Sequence, residues 1–161
     1  HVRERSAQLQ IPMPAILMEP GRSIVADAGV TLYTVGSVKT ITGYKSYVSV
    51  DGGMPDNPRY ALYQSVYTAL VANRAAEERT YRATVAGRCC ESGDLLGENM
   101  PIQKPVRGDI LAFLVTGAYN YAMASNYNRI PKPAVVMVKE GSSRVVVKRE
   151  TLEDIIRNDI E

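Results

Sequence analysis

A thiol, two carboxylates, a hydroxyl and a glycine stand in five consecutive residues, Cys90-Glu91-Ser92-Gly93-Asp94. The run follows a β-rich stretch (81–87) and precedes the apolar pair Leu95-Leu96, so it reads as a loop leaving a strand. Reactive groups on a loop held by a rigid scaffold are a common way to build a site. The plainer reading is a small apolar cysteine beside ordinary Ser-Gly-Asp turn chemistry. These five residues taken alone favour the plainer reading, and the other stretches of the chain shift the balance.

Glu19-Pro20-Gly21-Arg22 follows a short apolar run, where a parallel strand would end and where ligands bind in α/β folds. Gly21 permits close approach of an anion to the backbone, and Arg22 can grip a phosphate or carboxylate with a forked pair of hydrogen bonds. The same tetrapeptide also suits a surface Pro-Gly turn. Arg59 and Tyr63 are four residues apart, which on a helix places a cation and a phenol on one face. Gly117-Ala118-Tyr119 ends a very apolar strand and sets a phenol at a sheet rim, where simple rim packing is the alternative. Ser125-Asn126-Tyr127-Asn128 is polar enough for a binding loop but suggests no role. A metal centre is excluded: His1 is the sole histidine, and adjacent Cys89 and Cys90 lack ligand spacing. The same shortage excludes a Ser-His-Asp triad, and no nucleotide-type glycine loop occurs.

The elements that must position these groups are mostly strands. A chain of 161 residues, 45% hydrophobic, suits one domain of ordinary size with a real core. A net charge of +2 from 19 basic and 17 acidic residues gives no electrostatic case for nucleic acid or membrane binding. No apolar run approaches the ~20 residues of a membrane span. Two neighbouring cysteines read as free thiols in a reducing compartment, hence a cytoplasmic protein (plastid in a plant). Residues 1–10 are helix-compatible up to Pro12 and Pro14, and 15–18 read as a strand buried on both faces. Together they look like the last step of an α/β unit whose other strands are not in this sequence. From residue 30 onward, strands are expected at 30–41, 47–51, 66–72, 80–86, 110–116, 134–139 and 144–148, separated by Gly- and Asp-rich turns. Strands at this spacing indicate a β-barrel or sandwich. Asn57-Pro58 starts a short helix through Tyr63. Thr151 and Asp154 form a capping box for a last helix, whose Leu152, Ile155 and Ile156 are expected to dock on the sheet.

Taken together, the motifs resemble the diaminopimelate decarboxylase family of fold-type III pyridoxal-phosphate enzymes. The resemblance runs from Met18 to about Leu152 and rests on four blocks in order. These are Glu19-Pro20-Gly21-Arg22-Ser23; Val50-Asp51-Gly52-Gly53-Met54 with Arg59-Tyr60-Ala61-Leu62-Tyr63; Cys90-Glu91-Ser92-Gly93-Asp94; and Thr116-Gly117-Ala118-Tyr119 leading to Ser125-Asn126-Tyr127-Asn128. The first is shared with ornithine and arginine decarboxylases, whereas the third discriminates. The resemblance implies a mainly β, C-terminal β-barrel domain over 25–161. Residues 1–24 would be a remnant of a TIM-like barrel, its last helix and strand, the rest of the barrel being absent. The family's Schiff-base lysine would lie in that absent part, so the chain alone is expected to be inactive.

The implied cofactor is pyridoxal 5'-phosphate and the implied substrate meso-diaminopimelate, decarboxylated to L-lysine in lysine biosynthesis. Glu19 would pair with the pyridine nitrogen, and Pro20, Gly21 and Arg22 would line the cofactor, with Arg22 also reaching substrate. Arg59 and Tyr63 would hold a substrate carboxylate, and Tyr119 would face cofactor and substrate together. Glu91 would take the amino group at the unreacting end. Cys90 would deliver a proton to the α-carbon, a fit role for a thiol of ordinary pKa about 8.5. The family's site lies at a homodimer interface, with Cys90 and Glu91 entering from the neighbouring subunit. Two alternatives stand: a related ornithine, arginine or carboxynorspermidine decarboxylase, and a non-catalytic dimerisation module of the same fold.

Overall fold

A computed structural model describes residues 1–160, with eight strands and four short helices among them. The strands are β1 (Val30–Ile41), β2 (Lys45–Val50), β3 (Ala69–Val71), β4 (Tyr81–Ala86), β5 (Leu95–Ile102), β6 (Ile110–Leu114), β7 (Val135–Lys139) and β8 (Ser142–Val147). The helices are α1 (Val2–Gln8), α2 (Arg22–Val25), α3 (Arg59–Tyr63) and α4 (Leu152–Ile156). Six strands form one sheet in the order β3-β6-β1-β2-β4-β5, antiparallel except for β2 with β4. β7 and β8 form a separate hairpin. No described helix is long and apolar enough to cross a membrane.

The 12-residue β1 organises the sheet. Its first half pairs with β6 and its second half with β2, and the register shifts between Val35 and Ser37. A bulge there bends the strand and turns the sheet around its core. Alternating residues point inward: Tyr33 and Val35 from β1, Val48 and Val50 from β2, Leu111 and Phe113 from β6. Val71, Val85, Leu96 and Ile102 complete the packing, and Tyr33 meets Phe113 edge to face at 5.5 Å between ring centroids.

The outermost strands β3 and β5 are bridged by a side chain. Gln103, 1% exposed just after β5, accepts a hydrogen bond from the Val71 N–H at 2.8 Å and donates to the Glu77 carbonyl at 3.0 Å. The amide thus supplies partners that an unpaired sheet edge lacks, and the sheet becomes nearly closed. Gln103→Ala is expected to cost about 1–3 kcal/mol of folding free energy, because it orphans the buried Val71 N–H. Urea denaturation, read as a lower midpoint with unchanged slope, checks this.

Three expectations are corrected. Residues 15–18 form no strand: no chain in the described residues pairs with them, and Leu17 is 93% exposed. β5 was not expected, since Gly97, Asn99 and Pro101 argue against a strand; its place at the end of the sheet order tolerates the proline. The α4 stripe does not dock on the sheet, and Leu152 and Ile156 are exposed. The capping box at Thr151 and Asp154 is present as expected.

Candidate active site

Three turns meet at one rim of the sheet. Gly29 and Gly117 approach so closely that a Cβ on either would overlap the backbone of the facing turn. The Thr116 N–H donates to the Gly29 carbonyl at 2.9 Å, and the Gly117 N–H donates to the Ala26 carbonyl at 2.9 Å. This contact presses the turn that follows α2, with Arg22 at its start, against the loop after β6. The third element is α3, whose first free N–H, on Arg59, donates to the Asn57 side chain at 3.3 Å.

Tyr119 is the centre of the cluster. Its backbone has φ +62°, the left-handed region that residues with a Cβ seldom occupy and that is often found at functional sites. Its ring takes the Arg22 guanidinium at 5.0 Å and the Arg59 guanidinium at 5.8 Å, while Arg59 also lies 4.7 Å from the Tyr63 ring. A Cβ on Gly21 would come 2.3 Å from the Tyr119 hydroxyl, so only glycine fits there without moving the phenol. Neither arginine is ion-paired among the described residues. The Arg59 Nε is buried and has no hydrogen-bond partner. Two guanidinium groups around one phenol, one with an unused buried donor, supply the forked donors that a carboxylate or phosphate accepts. The structure therefore brings Gly21, Arg22, Arg59, Tyr63 and Tyr119 together. Glu19 and Pro20 sit in the exposed segment leading into this cluster and make no side-chain hydrogen bond among the described residues.

Cys90 and Glu91 belong to a second cluster. Asp94, 3% exposed, accepts hydrogen bonds from the Met54 N–H at 2.6 Å and the Cys89 N–H at 2.7 Å. Its carboxylate presses on Gly53 and Gly87, where a Cβ would come within 2.3 Å and 2.2 Å of it. This clasp fixes the loop that carries the thiol. The Cys90 N–H donates to Asn128 at 2.9 Å and leaves the thiol side exposed. Glu91 accepts from the Gly93 N–H at 3.0 Å, the Ser92 hydroxyl at 3.3 Å and the Tyr127 hydroxyl at 3.3 Å. The Gly93 N–H first, then Tyr127 and Ser92, hold its carboxyl below the usual carboxylate range, so it is an anion at neutral pH. Burial, with Asp94 nearby, pushes the Cys89 thiol up to about 12. Cys89 is thus a protonated structural thiol at neutral pH.

Among the described residues no hydrogen bond, ion pair or cation–π contact joins Cys90 or Glu91 to Arg22, Arg59, Tyr63 or Tyr119. Sequence reasoning took the buried Asn57 only as the start of a short helix, missed the buried Asn120, and gave Tyr127 and Asn128 no role. A polar residue in a turn looks alike in sequence whether it faces water or the core, so no local signal separates the two.

A family model described as the C-terminal sheet domain of pyridoxal-dependent decarboxylases matches residues 23–117. The diaminopimelate decarboxylase of Bacillus subtilis (strain 168) is 53% identical over 159 residues, covering 99% of this chain and 36% of that protein. A crystal structure of diaminopimelate decarboxylase from M. jannaschi matches with a TM-score of 0.80 at 34% identity, over 97% of this chain and 35% of that one. The Helicobacter pylori diaminopimelate decarboxylase complexed with L-lysine matches with a TM-score of 0.78 at 35% identity, over 94% of this chain and 36% of that one. The chain spans about a third of the length of these relatives. With its nearly closed sheet and its rim of paired arginines, this chain belongs to the pyridoxal-dependent decarboxylases, whose C-terminal sheet domain it carries.

Proposed function

We propose that this chain is the C-terminal portion of a diaminopimelate decarboxylase, which converts meso-2,6-diaminopimelate to L-lysine and CO2. The observation that carries the reading is the Arg22–Tyr119–Arg59 cluster with its unpaired buried Arg59 Nε. The substrate offers two carboxylates and two ammonium groups, so its receptor needs arginines and acids together. The relatives named above support that substrate over the ornithine, arginine and carboxynorspermidine alternatives. A pure dimerisation module would have no use for a buried guanidinium Nε–H left without a partner.

Pyridoxal 5'-phosphate fits this rim by its donor chemistry: the Arg22 and Arg59 guanidinium groups, neither ion-paired among the described residues, suit its phosphate, and the bare Cα of Gly21 lets the backbone close up against the Tyr119 phenol. Glu19, Pro20, Gly21, Arg22 and Tyr119 would hold it, with Glu19 toward the ring nitrogen. When bound, the cofactor supplies the electron sink for the pair left as CO2 departs. Arg59 and Tyr63 bind a substrate carboxylate, with Arg22 beside them. Glu91, anionic at neutral pH, binds the ammonium group at the far end. The Cys90 Sγ donates a proton to the α-carbon after decarboxylation.

Residues 1–24 are read as the end of the cofactor-binding barrel and 25–161 as the sheet domain. The exposed apolar side chains at 16–18 are the surface such a barrel would cover. The two clusters do not meet within one chain, so Cys90 and Glu91 are assigned to the site of a second copy in a homodimer. Two unbridged thiols suit a cytoplasmic setting.

Assaying CO2 release by the complete protein tests the proposal. Turnover of meso-diaminopimelate and none of ornithine is expected, and the reverse pattern overturns the substrate assignment. This chain alone is expected to release no CO2 from either.

A further inference from the structure

Asn57 and Asn120 are the two buried side chains that join α3 to the Tyr119 loop, and nothing in the proposed chemistry uses either of them. Asn57 is fully buried and Asn120 is 3% exposed. The amide of Asn120 is oriented by its neighbours. The carbonyl oxygens of Thr116 and Ala118 lie 3.2 Å and 3.0 Å from one terminus, which is therefore the nitrogen that donates to both. Its oxygen then accepts from the Asn57 Nδ2 at 3.0 Å, while the Asn57 Oδ1 accepts the Arg59 N–H at 3.3 Å. The chain of bonds runs from the backbone of Arg59, through both amides, to the carbonyls on either side of Gly117 and next to Tyr119.

We infer that Asn57 and Asn120 are a positioning pair that sets the separation of the Arg59 guanidinium from the Tyr119 phenol, and with it the affinity of the pocket for a carboxylate. The inference rests on the proposed reading of that pocket. Both elements need such a tie. α3 has five residues, too few to hold a helix by its own hydrogen bonds, and it ends at Gln64 in the left-handed region. Tyr119 holds φ +62°, a conformation that persists only where the surroundings over-determine it. Buried hydrogen-bonded amides rigidify what they join, because breaking one bond leaves its partner unpaired in a medium that offers no water.

The test uses the complete, cofactor-loaded enzyme with Asn57→Ser, Arg59→Ala and the double variant. Serine keeps an oxygen to cap the Arg59 N–H but is too short to reach Asn120. Binding of pimelate, a dicarboxylate without amino groups to react, is measured by calorimetry beside KM and kcat for the substrate. Arg59→Ala is expected to weaken pimelate binding at least ~10-fold, and Asn57→Ser about 10-fold with kcat within about twofold. In the Arg59→Ala background, Asn57→Ser is expected to add less than about twofold, since it acts through the missing guanidinium. An equal loss in both backgrounds makes the pair merely structural and overturns the inference. So does full affinity in Asn57→Ser alongside a loss in Arg59→Ala. An Arg59→Ala enzyme with unchanged affinity overturns the reading of the pocket itself. Should Asn57→Ser not fold, Asn120→Ser breaks the same bond from the other side and is held to the same pattern.

Discussion

Replacing Cys90 with alanine in the complete protein is expected to lower kcat by about 100-fold or more and to leave KM within about twofold. A positioned proton donor contributes roughly 10²–10⁴-fold to a rate, and its loss falls on the step it serves rather than on binding. The Cys90 thiol is exposed at the head of a loop whose backbone is clasped by Asp94 and Asn128, while its neighbour Cys89 is held as a protonated thiol with a pKa pushed up to about 12. The raised pKa makes Cys89 a weaker acid than an ordinary thiol, and its backbone is tied down to Asp94. Steady-state kinetics with meso-diaminopimelate decides the matter: an unchanged kcat removes Cys90 from the chemistry.

Asp94→Ala is expected to destabilise the fold by about 3–5 kcal/mol, the largest effect of any single polar substitution outside the proposed chemistry. Each hydrogen bond to an ionised acceptor contributes ~1.5–3 kcal/mol, and Asp94 serves both the Met54 and the Cys89 N–H. Those amides have no other partner once the carboxylate is gone, and Gly53 and Gly87 would face an emptied space. Asp94→Asn keeps an oxygen for one amide but turns its NH2 toward the other, so about half the loss is expected. Urea or thermal denaturation of both variants checks the order. A midpoint for Asp94→Ala equal to that of the unsubstituted protein contradicts the clasp.

The same residues show how far local reading goes. Asp94 was visible as the end of a turn motif, but its burial between two glycines from separate loops was not. β1 and β4 were legible from their β-branched and aromatic residues and β6 from a short continuous apolar run, signals that need no reference to any partner. β5 was not, because Gly97, Asn99 and Pro101 are poor strand residues. Pairing with β4 and burial of Leu96, Met100 and Ile102 override that propensity. Residues 15–18 mislead in the opposite sense. Their apolar run promises a buried strand, yet a strand exists only where another chain segment accepts its hydrogen bonds.

The candidate site divides along the same line. Residue identities and order along the chain determined its chemistry: a thiol, an acid, two arginines and two tyrosines in four motifs, together with the strand-rich class of the fold. These are properties of side chains and of local periodicity, which sequence carries directly. Only the tertiary structure decided that Arg22 and Arg59 both lie against the Tyr119 ring and that Cys90 stands apart from them. It alone showed that buried Asn57, Asn120 and Asp94 hold the loops in place. Those outcomes depend on which glycines let backbones touch and on which polar groups must find partners once water is excluded. Both are set by contacts between residues tens of positions apart, so no local window of sequence contains them.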